Sequence, residues 1–278
     1  MRRYWRAHSR QWRQLDRAAD PEGLTNVCYN GAPLWLNRFA ARVQRSTFLR
    51  LLDSVGTVAG RRALDVGCGT GRWSRLLSER GAAMTGIDLQ SDSLVENKRR
   101  LPSCRFVEMS ADAMGLASRS FDLAVSVTVL QHMPYEIQRN AMGEIRRALV
   151  PGGYLLMLEA TRDRGPHVFS NSTQQWVSIA SAVGFRVERT LPYDYAPLLH
   201  TLRGAAARLR GGAAGALPPV EDYVARARRE ESQVGALRKA YRATLHAATL
   251  ASYPLEPFCS LAAPASWAYH VGMLLRAI

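Results

Sequence analysis

The sequence predicts an α/β fold built on a parallel sheet with helices on both faces. Between residues 60 and 191 short apolar runs alternate with amphipathic ones. Parallel strands need crossovers of about a dozen residues or more, and these are usually helices, so the alternation itself implies such a sheet. The strand-like runs are apolar and bounded by turn residues, as strands covered on both sides are. One of them, Ala63–Val66, ends in a loop with glycine at alternate positions that opens a helix. Ligands of open parallel sheets bind beyond the carboxyl ends of the strands, where this loop sits.

The elements follow in order. Residues 1–52 read as amphipathic helix, interrupted at Asp20-Pro21-Glu22-Gly23 and Asn30-Gly31-Ala32-Pro33. After the second break, Leu34, Trp35, Leu36, Phe39, Val43, Phe48 and Leu51 are spaced for one helix face. Strand Arg62–Val66 leads through the glycine loop to a helix from Arg72 to Arg80, then strand Ala82–Asp88 and helix Ser91–Arg100. Cys104–Glu108 and Phe121–Val127 are further strands, and helix Pro134–Leu149 stops at Pro151-Gly152-Gly153. Strand Tyr154–Glu159, helix Ser172–Val183 closed by Gly184, and strand Phe185–Leu191 complete the alternation.

Residues 196–252 break the rhythm. Leu198–Arg210 is an arginine-rich helical pattern, residues 211–219 form a Gly/Pro break, and Val220–Ser252 reads as one or two helices. Val234, Leu237, Tyr241, Leu245 and Ala248 keep a 3–4 spacing there. Trp267–Leu275 suits a strand or a short helix, and periodicity does not decide between them. The expected division is therefore a helical lid at 1–52, a core of 53–195 plus 253–278, and a helical insertion at 196–252.

A chain of 278 residues buries roughly 75% of its unfolded surface and needs no disulfide or metal staple. With 47% hydrophobic and 22% charged residues, disordered and collagen-like classes are excluded. The four cysteines, Cys28, Cys68, Cys104 and Cys259, form no C-x-x-C pair, which excludes zinc ribbons and thioredoxin-like sites. The formal charge is +14, yet Lys98 and Lys239 are the only lysines. Such a surface suits nucleic acid, lipid headgroups or an anionic substrate. The first residues are basic but lack a signal peptide's apolar core. The longest charge-free stretch, Phe258–Leu275, is interrupted by Pro264 and Gly272, so no membrane span is expected and a cytoplasmic location is.

The chemistry concentrates at Asp65-Val66-Gly67-Cys68-Gly69-Thr70-Gly71-Arg72. Glycine is needed where φ is positive or where a ligand touches main chain. No lysine followed by Ser/Thr stands where a nucleoside triphosphate loop requires it, and Arg72 occupies the place of the small last residue of a dinucleotide fingerprint. Asp88 closes the second strand about twenty residues on, where a carboxylate accepts both hydroxyls of a ribose. Asp112, after the third strand, is placed to accept from an adenine amino group. Together these specify an adenosine ligand without a pyrophosphate.

This constellation resembles the first motifs of class I S-adenosylmethionine-dependent methyltransferases. Asp65–Gly71, Asp88, Asp112, the run Phe121–Ser126 and Leu149-Val150-Pro151-Gly152-Gly153 stand in the family's order and spacing, over about residues 60–191. The resemblance implies a Rossmann-like, seven-stranded, mostly parallel sheet whose last strand, assigned to Trp267–Leu275, is antiparallel. It also implies S-adenosyl-L-methionine as cofactor. Gly67, Gly69 and Gly71 would then face the methionine part, and Asp65 would order that loop near the cofactor's amino group. Asp88 and Leu89 would take the ribose, Asp112 and Ala113 would flank the adenine, and Thr128 would line the same crevice.

Methyl transfer is an in-line displacement in which the protein chiefly holds nucleophile and methyl in line. His132, just past the fourth strand, is the candidate general base, since an ordinary imidazole titrates near neutral pH. Glu159, at the end of the fifth strand, is expected in the cleft, orienting the acceptor or paired with an arginine. Tyr4, Trp5, Trp12, Tyr29 and Trp35 supply aromatic surface for a lid, from which Arg38 would clamp the methionine carboxylate. Residues 196–252 are expected to cap the acceptor, contact a second copy or dock a carrier, with Arg203, Arg208 and Arg210 suiting an anionic acceptor. The reading is therefore methylation of a small molecule at oxygen or nitrogen. Its rivals are RNA methylation, favoured by charge but lacking an appended RNA-binding motif, and a scaffold that kept the fold without the chemistry.

Overall fold

The computed structural model describes residues 20, 22–24, 34–162, 168–195, 198, 201, 240, 243–244, 247–248 and 251–278. Helix α1 (Leu34–Leu52) precedes β1 (Arg62–Val66), α2 (Arg72–Ser78), β2 (Ala83–Asp88), α3 (Ser91–Arg100), β3 (Arg105–Glu108) and β4 (Phe121–Val127). A short 3₁₀ turn, Leu130–His132, leads to α4 (Tyr135–Ala148), β5 (Leu149–Ala160), α5 (Thr173–Ala182), β6 (Phe185–Tyr193), α6 (Glu256–Ala262) and β7 (His270–Ala277). The strands form one seven-stranded sheet ordered β3-β2-β1-β4-β5-β7-β6. Strands β1 to β5 pair in parallel, and β7 lies antiparallel between β5 and β6.

Strand pleating sends successive side chains to opposite faces, and two cores result. Ala63, Met84, Leu123, Val125, Leu156 and Leu158 face α1, α2 and Leu94 of α3. Leu64, Val66, Ile87, Ala124, Leu155 and Met157 face α4 and α5. Helix α1 buries Leu36, Phe39, Ala40, Val43, Thr47, Phe48 and Leu51 along one side, and Phe48 stacks on Trp73 of α2 at 4.2 Å between ring centroids. Thus residues 34–52, grouped by sequence with the lid, pack as a layer of the core. Gly272 of β7 permits this, because a Cβ there would lie 2.8 Å from Thr47 Cγ2 and 2.9 Å from Leu51 Cδ1. On the other face Trp176 is fully buried and donates its indole N–H to the carbonyl of Ala160 at 3.2 Å. Burial of each such side chain stabilises by about 1.5–3 kcal/mol.

Most strand and helix bounds shift by one to three residues from expectation. Helix α5 starts after Ser172, whose hydroxyl accepts from Gln175 N while the Gln175 side chain accepts from Ser172 N. Two strand starts have a local cause, and that of β5 moves furthest. β5 begins at Leu149, which already pairs with Phe121 before a register shift carries the chain through Pro151-Gly152-Gly153. β7 begins at His270, because Ala265–Trp267 coils into a 3₁₀ turn after Pro264. Most of residues 196–252 lie outside the described residues. No described helix is long and apolar enough to cross a membrane.

Candidate active site

The strand order reverses between β1 and β4, so the loops after these strands open a crevice at their carboxyl ends. Val66 lies opposite both Ile87 and Ser126, which sets the glycine loop between Asp88 on one side and residues 128–132 on the other. Gly67 has φ 67°, and a Cβ there would fall 2.5 Å from Val129 Cγ2. Gly71 has φ 72° as the N-cap of α2, and its missing Cβ leaves room for the Asn97 carboxamide, which would be 3.0 Å away.

Gly69 is gripped from both ends. Its N–H donates to Asp88 Oδ2 at 2.8 Å, and its carbonyl accepts from Asn97 Nδ2 at 2.8 Å. The other Asp88 oxygen accepts from Gln90 N at 2.9 Å. Burial raises the Asp88 carboxyl above its ordinary range, while backbone N–H groups of Gly69, Gln90 and Leu89 pull it back. A carboxylate offers about four lone-pair sites. Backbone donors take part of this capacity, and the half-buried side chain keeps the rest toward the crevice. With a strand-end carboxylate beside a glycine loop at the switch point of the sheet, the residues present fit an adenosine-bearing cofactor.

Asp65 stands behind this surface. It is 1% exposed and accepts from Ser74 Oγ at 2.7 Å. Desolvation lifts its carboxyl to about 6. Its visible role is thus to order the start of α2 from within. Asp112 follows β3, half-buried, and receives the Ser110 hydroxyl; Ala113 is exposed beside it. The loop after them is tied to α4. Glu144 accepts Met114 N at 2.9 Å, and Arg147 donates to the carbonyls of Met114 and Leu116, both at 2.7 Å. The hydrogen-bonded Arg147 guanidinium holds the Glu144 carboxyl below its ordinary range.

Thr128 has φ 56°, the left-handed region, although it is not glycine. Its N–H donates to Leu158 O at 2.8 Å and its hydroxyl to Val127 O at 2.7 Å. His132 ends the 3₁₀ turn, half-buried, with Nε2 3.4 Å from Gln131 Nε2. Gln131 in turn accepts Ala160 N at 2.6 Å. The structure therefore brings the glycine loop, Asp88, Leu89, Asp112, Ala113, Thr128 and His132 to one sheet edge.

Two expectations change. Glu159 neither lines the cleft nor pairs with an arginine among the described residues. It is fully buried, and its carboxylate accepts Ser126 Oγ at 3.2 Å and the backbone N–H groups of Val129, Leu130 and Gln131 at 3.3, 3.1 and 3.0 Å. Burial lifts this carboxyl to about 7 against the pull of those donors. Arg38 is exposed on the outer face of α1, lining a cavity of about 290 Å³ with Arg42, Arg45, Arg72 and Arg75. The described lining of that cavity includes none of Gly67, Gly69 or Asp88. Tyr4, Trp5, Trp12, Tyr29, Arg203, Arg208 and Arg210 lie outside the described residues, and Trp35 packs half-buried against the α1 core.

Sequence reasoning missed Asn97, Ser74, Glu144 and Arg147. Asn97 carried a signal: it lies three residues from buried Leu94, so a polar side chain shares the inner face of α3 and needs an internal partner.

Residues 63–153 match a family described as a methyltransferase domain. A demethylmenaquinone methyltransferase of Renibacterium salmoninarum is 35% identical over 109 residues, 39% of this chain and 45% of that protein. A malonyl-[acyl-carrier protein] O-methyltransferase of Pectobacterium atrosepticum is 30% identical over 158 residues, 57% of this chain and 59% of that protein. The chain thus spans about half the length of the curated relatives it matches. Among solved structures, the [4+2]-cyclase SpnF superposes with a TM-score of 0.53 at 20% identity, over 84% of this chain and 80% of its own. An S-adenosylmethionine-dependent methyltransferase from Mesorhizobium loti gives 0.50 at 17%, over 82% and 96%. At such identities the likeness is one of fold. Residues 63–153 thus match a methyltransferase domain, and the sheet around them has the strand order and the antiparallel last strand that the motifs' resemblance to class I S-adenosylmethionine-dependent methyltransferases implies.

Proposed function

We propose that this chain transfers a methyl group from S-adenosylmethionine to an oxygen or nitrogen of a small molecule. The observation that supports it best is Gly69 held between Asp88 and Asn97 at the switch point of the sheet, with acceptor capacity left on Asp88. In this reading Asp88 takes the ribose hydroxyls, Asp112 and Ala113 flank the adenine, and the glycine loop and Thr128 enclose the remainder. When bound, the cofactor supplies a methyl group activated on a sulfonium. The chain's own residues then align the acceptor and exclude water, and His132 takes a proton from an acceptor that must lose one, which contributes about 10²–10⁴-fold where it applies.

The curated relatives' names, among them a menaquinone precursor methyltransferase and a carrier-protein-bound malonyl methyltransferase, support a small acceptor. The net charge of +14 supports an anionic one. The amino-terminal residues and the 196–252 segment are proposed to cover it.

The test combines calorimetry with S-adenosylhomocysteine and transfer of radiolabelled methyl from S-adenosylmethionine to a phenolic ubiquinone precursor and to malonyl-acyl carrier protein, both oxygen acceptors. Saturable binding with transfer to either acceptor is expected. Binding without transfer to any quinol or carboxylate acceptor would favour other chemistry on this fold, since fold does not fix reaction. Lack of binding would favour a scaffold.

A further inference from the structure

We infer that Glu159 is a positioning residue that couples the two loops meeting over the crevice, the glycine loop and residues 128–132. The inference rests on the cofactor-binding reading above. The first N–H groups of a helical turn have no partner within it. Here the turn Leu130–His132 has no side-chain cap of its own. The acceptor comes instead from the neighbouring strand, where the Glu159 carboxylate gathers the N–H groups of Val129, Leu130 and Gln131 together with the Ser126 hydroxyl. One side chain thereby satisfies three backbone donors that a buried turn would otherwise leave without an acceptor.

This anchor answers a local need. Thr128 sits in the left-handed region at φ 56°, a conformation that persists only where the surroundings over-determine it. Glu159 fixes the three residues that follow. Once they are fixed, the methyl groups of Val129 lie over Gly67, within 2.6 Å of where a Cβ there would stand. From Gly67 the chain runs directly to Gly69, whose N–H meets Asp88. A buried carboxylate on β5 is thereby connected, through backbone and one valine, to the loop that receives the cofactor.

The coupling is tested with two variants and S-adenosylhomocysteine as the probe. Glu159→Gln keeps the shape and one acceptor oxygen, but turns its NH₂ toward at least one of the N–H donors, that of Gln131 when the oxygen stays at the Oε1 place. Val129→Ala keeps every hydrogen bond of the carboxylate and removes the contact with Gly67. Amide hydrogen exchange of the 127–132 peptide reports the loop, and calorimetry reports the affinity. In Glu159→Gln, exchange at 129–131 should accelerate and affinity should fall about tenfold, as expected when a buried N–H that orders a binding loop loses its acceptor. In Val129→Ala, exchange should stay slow while affinity falls at least about threefold. A merely structural Glu159 would lower the melting temperature and leave affinity within twofold of wild type, which overturns the inference. Unchanged affinity in Val129→Ala overturns it as well, and decides alone if Glu159→Gln does not fold. Wild-type protein that fails to bind the probe removes the cofactor reading itself, a result distinct from either.

Discussion

Asp88→Asn isolates what the carboxylate does at the crevice. In the wild type one oxygen accepts Gly69 N at 2.8 Å and the other accepts Gln90 N at 2.9 Å. Asparagine has one carbonyl oxygen, so in either orientation its NH₂ confronts one of these N–H groups. Leaving a buried donor unsatisfied costs about 1–3 kcal/mol. If the glycine loop relaxes to escape that cost, it leaves the conformation that fits the cofactor. Restoring that conformation on binding then weakens affinity by about 5–150-fold. The loss of a charged acceptor for the ribose hydroxyls adds to this, though not additively, because both effects act through one side chain. Calorimetric titration with S-adenosylhomocysteine, beside urea denaturation, reads both consequences. Affinity should drop by at least about tenfold with a small fall in the urea midpoint. Asp88→Ala strands both N–H groups and should lose more stability as well as binding. An Asn variant with wild-type affinity and midpoint would refute the reasoning, because Asp88 would then neither brace the loop nor hold the ribose.

Gly67→Ala forces a side chain into φ 67° and places its Cβ 2.5 Å from Val129 Cγ2. Left-handed backbone alone costs about 1–2 kcal/mol, so a lower melting temperature and loss of S-adenosylhomocysteine binding should appear together in scanning calorimetry and titration. His132→Ala should slow cofactor turnover while leaving that affinity nearly intact; unchanged turnover with an acceptor that must lose a proton would remove its role as base. Stability should also depend on pH in a definite direction. Glu159 and Asp65 carry carboxyls raised to about 7 and about 6. The folded protein therefore binds more protons than the unfolded chain between about pH 4 and 7, and stability falls as pH rises through that window. For Glu159 the change is on the order of 3 kcal/mol at most. Denaturation at pH 5, 6, 7 and 8 should show the decline, and Glu159→Gln should flatten its upper half. Asp122 and Glu144, held low by Arg62 and Arg147, act at more acid pH and leave this window alone.

The sheet was legible in the sequence because its strands are buried on both faces and separated by turn residues. Strands β1 and β4 and helix α3 have the bounds the residues predict. The misread ends have physical causes. β5 starts early because a strand continues as long as its neighbour offers pairing, and Phe121 offers it to Leu149 across a bulge that Gly152 and Gly153 absorb. β7 was ambiguous by period because an antiparallel strand covered on both faces reads like a buried helix.

The site divides along a different line. Backbone-determined features, the glycines and the strand-end carboxylates, follow from position along the chain, and Gly67, Gly71 and Asp88 stand at the edge that position implies. Side-chain direction needs one further step, which the pattern does contain. On β5, Leu155 and Met157 face α4 while Leu156 and Leu158 face α1. Alternation therefore sends Glu159 toward the α4 side, under the turn that begins α4, and away from the open crevice. On α1, Phe39, Ala40 and Val43 define the inner face, so Arg38, Arg42 and Arg45 fall on the outer one, facing Arg72 and Arg75 of α2 rather than the glycine loop. Strand ends locate an active site to within an edge; the parity of the strand and the phase of the helix decide which of its polar residues meet the ligand and which hold the others still.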